Sequence, residues 1–405
     1  MTLTNKIFLA LILGVALGSF LNQFFPGSPN FLKDTLSVLG NIFISSLKML
    51  IVPVVFFSIV CGVANLGNTT SLGRIGGKSI FLYLFSTFIA ISLALLFANL
   101  IEPGSNASFN LENEFKVRTP PPISSVFESL IPSNPIKALA EGNMLQIICF
   151  AVILGITLNQ FDNNNNLKLK KAFDSFNLLF LKMIDVIMYF APYGVFVLIF
   201  RTFLTQGFST IAELASYFFT VLIVLIIHFF ITYGSLIMFF TKIKIKYFYS
   251  KMRKAILFAF STSSSAATIP VTLKTVEGDL GVDKSVASFS VPLGATINMD
   301  GTAIMQGVAT VFIANAYGID LSISDFITVI MVATLASIGT AGVPGVGLIM
   351  LAMVLNQVGL PTEGIALIIG IDRLLDMTRT AVNVTGDAAI SCVVASTEKK
   401  INLKL

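Results

Sequence analysis

The chain has 405 residues, of which 26 are Lys or Arg, 21 Asp or Glu and one His. Charged residues thus make up 12% against about 25% in soluble proteins, hydrophobic types reach 55% and the mean hydropathy is +0.88, which excludes an ordinary soluble protein. The net charge of +5 does not indicate nucleic acid, because the lysines fall in short connections between apolar runs of about 20 residues, where the positive-inside rule places them.

In chain order, the first apolar run, 7–25, follows Lys6 and has no clear A-x-A cleavage site, so it reads as an uncleaved helix rather than a signal peptide. Further spans are predicted over 36–64, 78–101, 143–160, 172–206 and 212–241, the last two long enough to tilt or break. Pro192 is the expected break in the fifth span. Residues 102–134 are polar and Pro-rich, carry Glu112, Glu114 and Glu128, and read as an external loop. Cys61, Cys149 and Cys392 lie in apolar segments without a CxxC pair, which supports neither a disulfide framework nor a zinc site. Basic residues cluster at Lys6, at Arg74 and Lys78, at Lys168 to Lys171, at Lys242 to Lys254 and at Lys399 to Lys404, in alternate connections. That pattern puts these connections and both termini in the cytoplasm of a multi-pass cell (inner) membrane protein with eight crossings.

After residue 254 the plain helix pattern fails. Ser261 to Pro270 and Ser337 to Gly347 are tips too small and polar to face lipid, where each unpaired backbone group costs several kcal/mol, so they read as two re-entrant helical hairpins lining a cavity. Each precedes a span with Asn, Asp and Gly at its middle: Asn298-Met299-Asp300-Gly301-Thr302, and Asn383-Val384-Thr385-Gly386-Asp387. The order hairpin, broken helix, hairpin, broken helix is an inverted repeat. The expected fold is an all-α polytopic membrane protein of eight transmembrane helices plus the two hairpins, with a midplane site.

In the last span, 365–395, Asp372, Asp376, Arg379, Asn383 and Asp387 are spaced 4, 3, 4 and 4. They fall within about 80° of arc and ~22 Å of rise on one helix face. Charges inside a span cost about 2.5–3.5 kcal/mol each, so they face a pathway or one another. A bare set of ion pairs leaves three carboxylates sharing one Arg unexplained. As a site, the Arg379 fork suits a carboxylate, Asp376 an ammonium and Asn383 either, which together fit an acidic amino acid. Asp300 and Asp387, beside Asn, Thr and Gly, suit a hard cation such as sodium. His228, alone in the sixth span, reads as packed or hydrogen-bonded rather than as a proton relay, and Lys182 and Asp185 as a pair at i,i+3.

The serine-rich tip, Asn298 to Thr302, Gly339 to Gly345 and Asp376 to Asp387 together resemble the dicarboxylate/amino acid:cation symporter family, with weaker similarity over most of the chain. The resemblance implies that Arg379 binds the side-chain carboxylate of the substrate, Asp376 its amino group, and Thr380, Asn383 and Thr302 further atoms. The tips around Ser263, Ser264 and Ser265 and around Ala341, Gly342 and Val343 would close over its main-chain carboxylate. For Na+, it implies one site of Gly294, Asn298, Asn383 and Asp387, a second of Tyr83, Ser86, Thr87, Asn298 and Asp300, and a third of Thr296 with Ser337, Ile338 and Thr340. It further implies a homotrimer working by an elevator-like shift. Residues 1–72 and 102–207 would be the static scaffold, and 73–101 and 208–405 the moving part.

Ser86-Thr87 reverses the family's usual order and keeps both hydroxyls. Gln306 replaces the Glu of proton-carrying relatives, and no charge stands at Ser263, where some relatives carry Arg. An intramembrane protease is disfavoured because no G-x-G-D motif occurs, and a pure channel has no need of an Arg–Asp pair shaped for an amino acid. The expectation is therefore a sodium-coupled symporter of acidic amino acids, L-aspartate and L-glutamate, with the preference between them left open by Thr378, and no enzyme. The alternative is a proton-coupled glutamate/aspartate or C4-dicarboxylate symporter of the same family.

Overall fold

The structure, a computed structural model, describes residues 3–24, 30–64, 70–105, 131–160, 164–206, 209–337, 342 and 345–402. Among them it is all-helical apart from one isolated bridge between Val282 and Ile401. The segment 106–130 with Glu112, Glu114 and Glu128, and the tip residues Ile338, Thr340, Ala341 and Val343, lie outside the described residues, as does the side chain of Asp185.

The first half comprises α1 (Leu3–Phe24), α2 (Asn30–Met49), α3 (Ile51–Ala64), α4 (Thr70–Ile101), α5 (Pro135–Glu141), α6 (Met144–Gln160), α7 (Asn164–Tyr189) and α8 (Ala191–Gln206). The predicted second span is two helices meeting at Leu50, three residues before Pro53, and the fifth divides at Phe190, two residues before Pro192. A proline removes a backbone donor and restricts the residue before it, which explains both interruptions. α4 begins eight residues before the predicted span, because Arg74 and Lys78 are helical and pair with Glu398.

The second half comprises α9 (Ser209–Ile227), a π turn (His228–Thr232), α10 (Tyr233–Phe240), α11 (Ile245–Thr262), α12 (Ser265–Lys274), a second π turn (Thr275–Asp279), α13 (Lys284–Ile297), α14 (Asp300–Ala316), α15 (Ile323–Ala336), α16 (Val346–Gln357), a 3₁₀ turn (Thr362–Gly364) and α17 (Ile365–Thr397). α11 and α12 pack together across a short turn at Ser263, whose φ of 51° is left-handed; α15 packs on α16. The helix predicted to break around Asn298 does so, α13 ending at Ile297 and α14 starting at Asp300. The last span was expected to break as well, and it does not: α17 runs unbroken through Gly386-Asp387. Gly386 serves close packing instead, since a Cβ there would lie 2.4 Å from Tyr233 Oη and 2.5 Å from Asn298 Nδ2.

Polarity is the reverse of a soluble protein's. Phe81, Leu96 and Leu100 on α4 and Phe219, Phe230 and Phe239 on α9–α10 are exposed, whereas Arg379, Asp300, Asn298 and Asp387 are buried. That distribution suits a body surrounded by hydrocarbon with polar groups turned inward. Two stretches among the described residues, Arg74–Ile101 and Ala212–Phe240, are long and apolar enough to cross a membrane. α1 lies closely on α8 through Gly14 and Gly18, an i,i+4 small-residue pair; a Cβ on Gly18 would meet Phe200 O at 2.8 Å. α17 is enclosed by α4, α9 and α10–α14, which turns its polar face inward.

Candidate functional site

The helical spacing of α17 stacks Asp372, Asp376, Arg379, Asn383 and Asp387 as the sequence predicts, and all five are buried. Arg379 is 1% exposed, with Nη1 donating to Asp372 Oδ1 at 2.9 Å and Nη2 to Asp376 Oδ1 at 2.8 Å. Its Nε has no partner. Thr380 Oγ1 donates back to the Asp376 carbonyl, so that hydroxyl is turned into its own helix.

The α13–α14 break supplies the facing wall. Opening the helix at Asn298-Met299 frees backbone groups, and Gly301 N, in the first turn of α14, donates to Asn383 Oδ1 at 2.7 Å, so a side chain of α17 caps another helix. Asn298 Nδ2 bridges Asn383 O (3.0 Å) and Asp387 Oδ1 (2.9 Å), leaving its Oδ1 buried and unpartnered. Gly294 borders the same point: a Cβ there would stand 2.5 Å from Asp387 Oδ1 and 2.7 Å from Tyr83 Oη. An orphan amide oxygen, a carboxylate and a glycine cradle form a donor set that fits a hard cation.

Asp300 anchors a second cluster. Its Oδ1 accepts from Thr87 Oγ1 at 2.6 Å, and its Oδ2 from Tyr233 Oη at 2.8 Å, with His228 Nε2 at 2.9 Å from the same oxygen. Tyr83 Oη donates to Ser290 O, and Ser86 Oγ to Tyr83 O.

Ser263, Ser265, Thr302, Gly342, Asp376, Thr380 and Asn383 line one cavity, its wall completed by Met299, Val346 and Gly347. The two tips touch there: Ser264 Oγ donates to Gly342 O at 2.7 Å, and Ala266 N to the same carbonyl at 3.3 Å. Ser263 Oγ is buried without a partner. Thr296 and Ser337 hydroxyls bond back to Leu293 O and Thr334 O in their own helices, so these two are not seen joined to the other groups.

Sequence reading missed Tyr233, Arg373 and Gly347 and gave His228 no partner. Five residues apart in an α-helix, His228 and Tyr233 would diverge by about 140°. The π turn between them brings both to one oxygen of Asp300, and nothing in the sequence signals such a turn. Gly347 was within reach, being part of the glycine-rich tip; a Cβ there would lie 3.0 Å from Arg379 Nη2.

A closed apolar body, a broken helix beside a buried charged face and two apposed polar tips are the parts of a secondary membrane transporter. The model of the sodium:dicarboxylate symporter family matches residues 3–397, and the chain belongs to that family. Its relatives include a proton/glutamate-aspartate symporter of Escherichia coli, 34% identical over all of this chain and 94% of that protein. A proton/sodium-glutamate symport protein of Geobacillus stearothermophilus is 33% identical over 98% of this chain and 94% of its own. A C4-dicarboxylate transport protein of Bacillus subtilis is 31% identical over 99% and 94%. These are transporters, and this chain is not an enzyme.

Proposed function

We propose that the chain is a sodium-coupled symporter of the acidic amino acids L-aspartate and L-glutamate. The observation that carries this reading is Arg379, buried with both terminal nitrogens on carboxylates while one of those carboxylates, Asp376, lies on the cavity wall. An entering side-chain carboxylate exchanges for Asp376 on the guanidinium, and the freed Asp376 receives the substrate's ammonium, so no charge is left unpaired. Thr380, Asn383, Thr302 and the two tips hold the rest. Na+ is carried at Asp387 with Asn298, Gly294 and Asn383, at Asp300 with Thr87, Tyr83, Ser86 and Asn298, and at a third site with Thr296, Ser337, Ile338 and Thr340.

Packing supports the division into scaffold and moving part: α4 lies against α9, α13, α14, α15 and α17, while α1, α2 and α8, and α3, α6 and α7, pack mainly among themselves, the two parts meeting chiefly where α8 and α1 reach α17. The working unit is a homotrimer in the cell membrane with both termini cytoplasmic. The proton-coupled reading is favoured by the name of the Escherichia coli relative and by His228 beside Asp300; the amide of Gln306 speaks against a proton carried there.

Uptake of labelled L-aspartate into proteoliposomes decides between them. Accumulation is expected with an inward sodium gradient and not with an inward proton gradient at equal sodium. Accumulation driven only by protons would remove the cation sites, and no uptake under either gradient would remove the substrate.

A further inference from the structure

Tyr217, on α9, is a buried polar group that the substrate and sodium assignments leave unused. It is 0% exposed, and its hydroxyl has no hydrogen-bond partner. Its place is fixed from two directions. One turn earlier on α9, Glu213 Oε2 accepts from Gly104 N at 2.9 Å, which ties α9 to the turn that follows α4, and the Tyr217 ring lies 5.2 Å from that of Phe312 on α14. α9 also packs on α17, and the charges that act on the phenol are those of Asp372 and Arg379. A buried hydroxyl without a partner is costly, so its retention beside that ion pair calls for a reason.

Asp372 is 4% exposed, accepts from Arg379 Nη1 at 2.9 Å and is not among the described residues that line the cavity. The guanidinium is planar and moves as one piece. When Nη2 leaves Asp376 for a substrate carboxylate in the cavity, Nη1 is drawn away from Asp372, and a buried carboxylate that loses its cation is strongly disfavoured. Arg373 also acts on Asp372 by its charge, but it stands with Asp376, 3.5 Å from Oδ2. The Tyr217 hydroxyl is a donor buried within reach of the same charge and bonded to nothing else. We propose that Tyr217 is a positioning residue for substrate binding, its hydroxyl donating to Asp372 as Arg379 turns to the carboxylate of the substrate. It acts through Asp372 and does not touch the substrate. The inference rests on Arg379 being the carboxylate-binding group, as proposed above.

Tyr217→Phe removes the hydroxyl and keeps the ring against Phe312, so it tests the bond and spares the packing. In the purified protein at saturating sodium, its dissociation constant for labelled L-aspartate is expected to rise about tenfold, the size of one hydrogen bond to a charged group. Melting without aspartate stays at or above that of the unaltered chain, because no bond is lost there. In an Asp372→Asn background the same change costs about threefold at most, since the two residues act as a unit. An unchanged dissociation constant for Tyr217→Phe would overturn the inference, as would a rise accompanied by a lower melting temperature of the substrate-free protein, or an equal rise in both backgrounds. The comparison of Tyr217→Phe with the unaltered chain decides even where Asp372→Asn does not fold. If the unaltered chain does not bind aspartate, or Arg379→Ala binds it as tightly, it is the proposed function that has failed.

Discussion

Gly386 shows how little room the centre of the molecule leaves. A methyl group there would drive into Tyr233 Oη and Asn298 Nδ2, the atoms that hold Asp300 and Asp387. Gly386→Ala is expected to cost about 1–3 kcal/mol through overpacking and to raise the sodium concentration needed for uptake. Melting in detergent and the sodium dependence measure the two effects; a variant that matches the parent in both would show that the position tolerates a side chain. At this scale the polar face of α17 was legible because helical periodicity alone sets it. Of the partners of Asp300, the resemblance had grouped Thr87 with it, but Tyr233 and His228, 67 and 72 residues away, were not legible, a separation that only folding closes.

Between elements, the end of α17 is tied to the start of α4. Glu398 accepts from Lys78 Nζ at 2.5 Å and from Arg74 Nη2 at 2.6 Å, and these hydrogen bonds hold its carboxyl below the usual carboxylate range. The sign follows from linkage. A depressed folded-state pKa makes the latch fully stabilising above the unfolded value of about 4.3, and that contribution is lost as pH falls through the lower folded value. Glu398→Gln should therefore melt below the parent at pH 7, and by less at an acid pH under the unfolded value of about 4.3, in paired thermal scans. An equal gap at both pH values would mean that the carboxylate charge is irrelevant there. The same end of the chain pairs backbone with the connection before α13, Asp283 N to Lys400 O at 2.9 Å and Asn402 N to Gly281 O at 2.7 Å. The break between α13 and α14 could be anticipated from Asn298-Met299-Asp300, whereas the continuity of α17 through Gly386-Asp387 could not. The same residue types either interrupt a helix or let a neighbour approach it, and the neighbour decides.

Across the whole molecule, α17 meets the proposed scaffold at α8 and α1; on the α8 side a Cβ on Gly370 would stand 2.8 Å from Ile199 Cδ1. If α17 and the elements around it slide past α8 during transport, a disulfide between Gly370→Cys and Ile199→Cys should stop uptake while leaving aspartate binding in place. Reduction should restore uptake, and undiminished uptake by the cross-linked protein would rule out sliding at this contact. Composition and periodicity alone were enough to place the chain in a membrane and to show that its second half carries polar tips and a charged helix face. Both are local properties of the chain. Folding was needed to bring His228 and Tyr233 to Asp300 through a π turn and to make Asn383 cap α14. Each of these is a contact between groups on different turns or different helices, and its distance is set by packing, which no local pattern encodes.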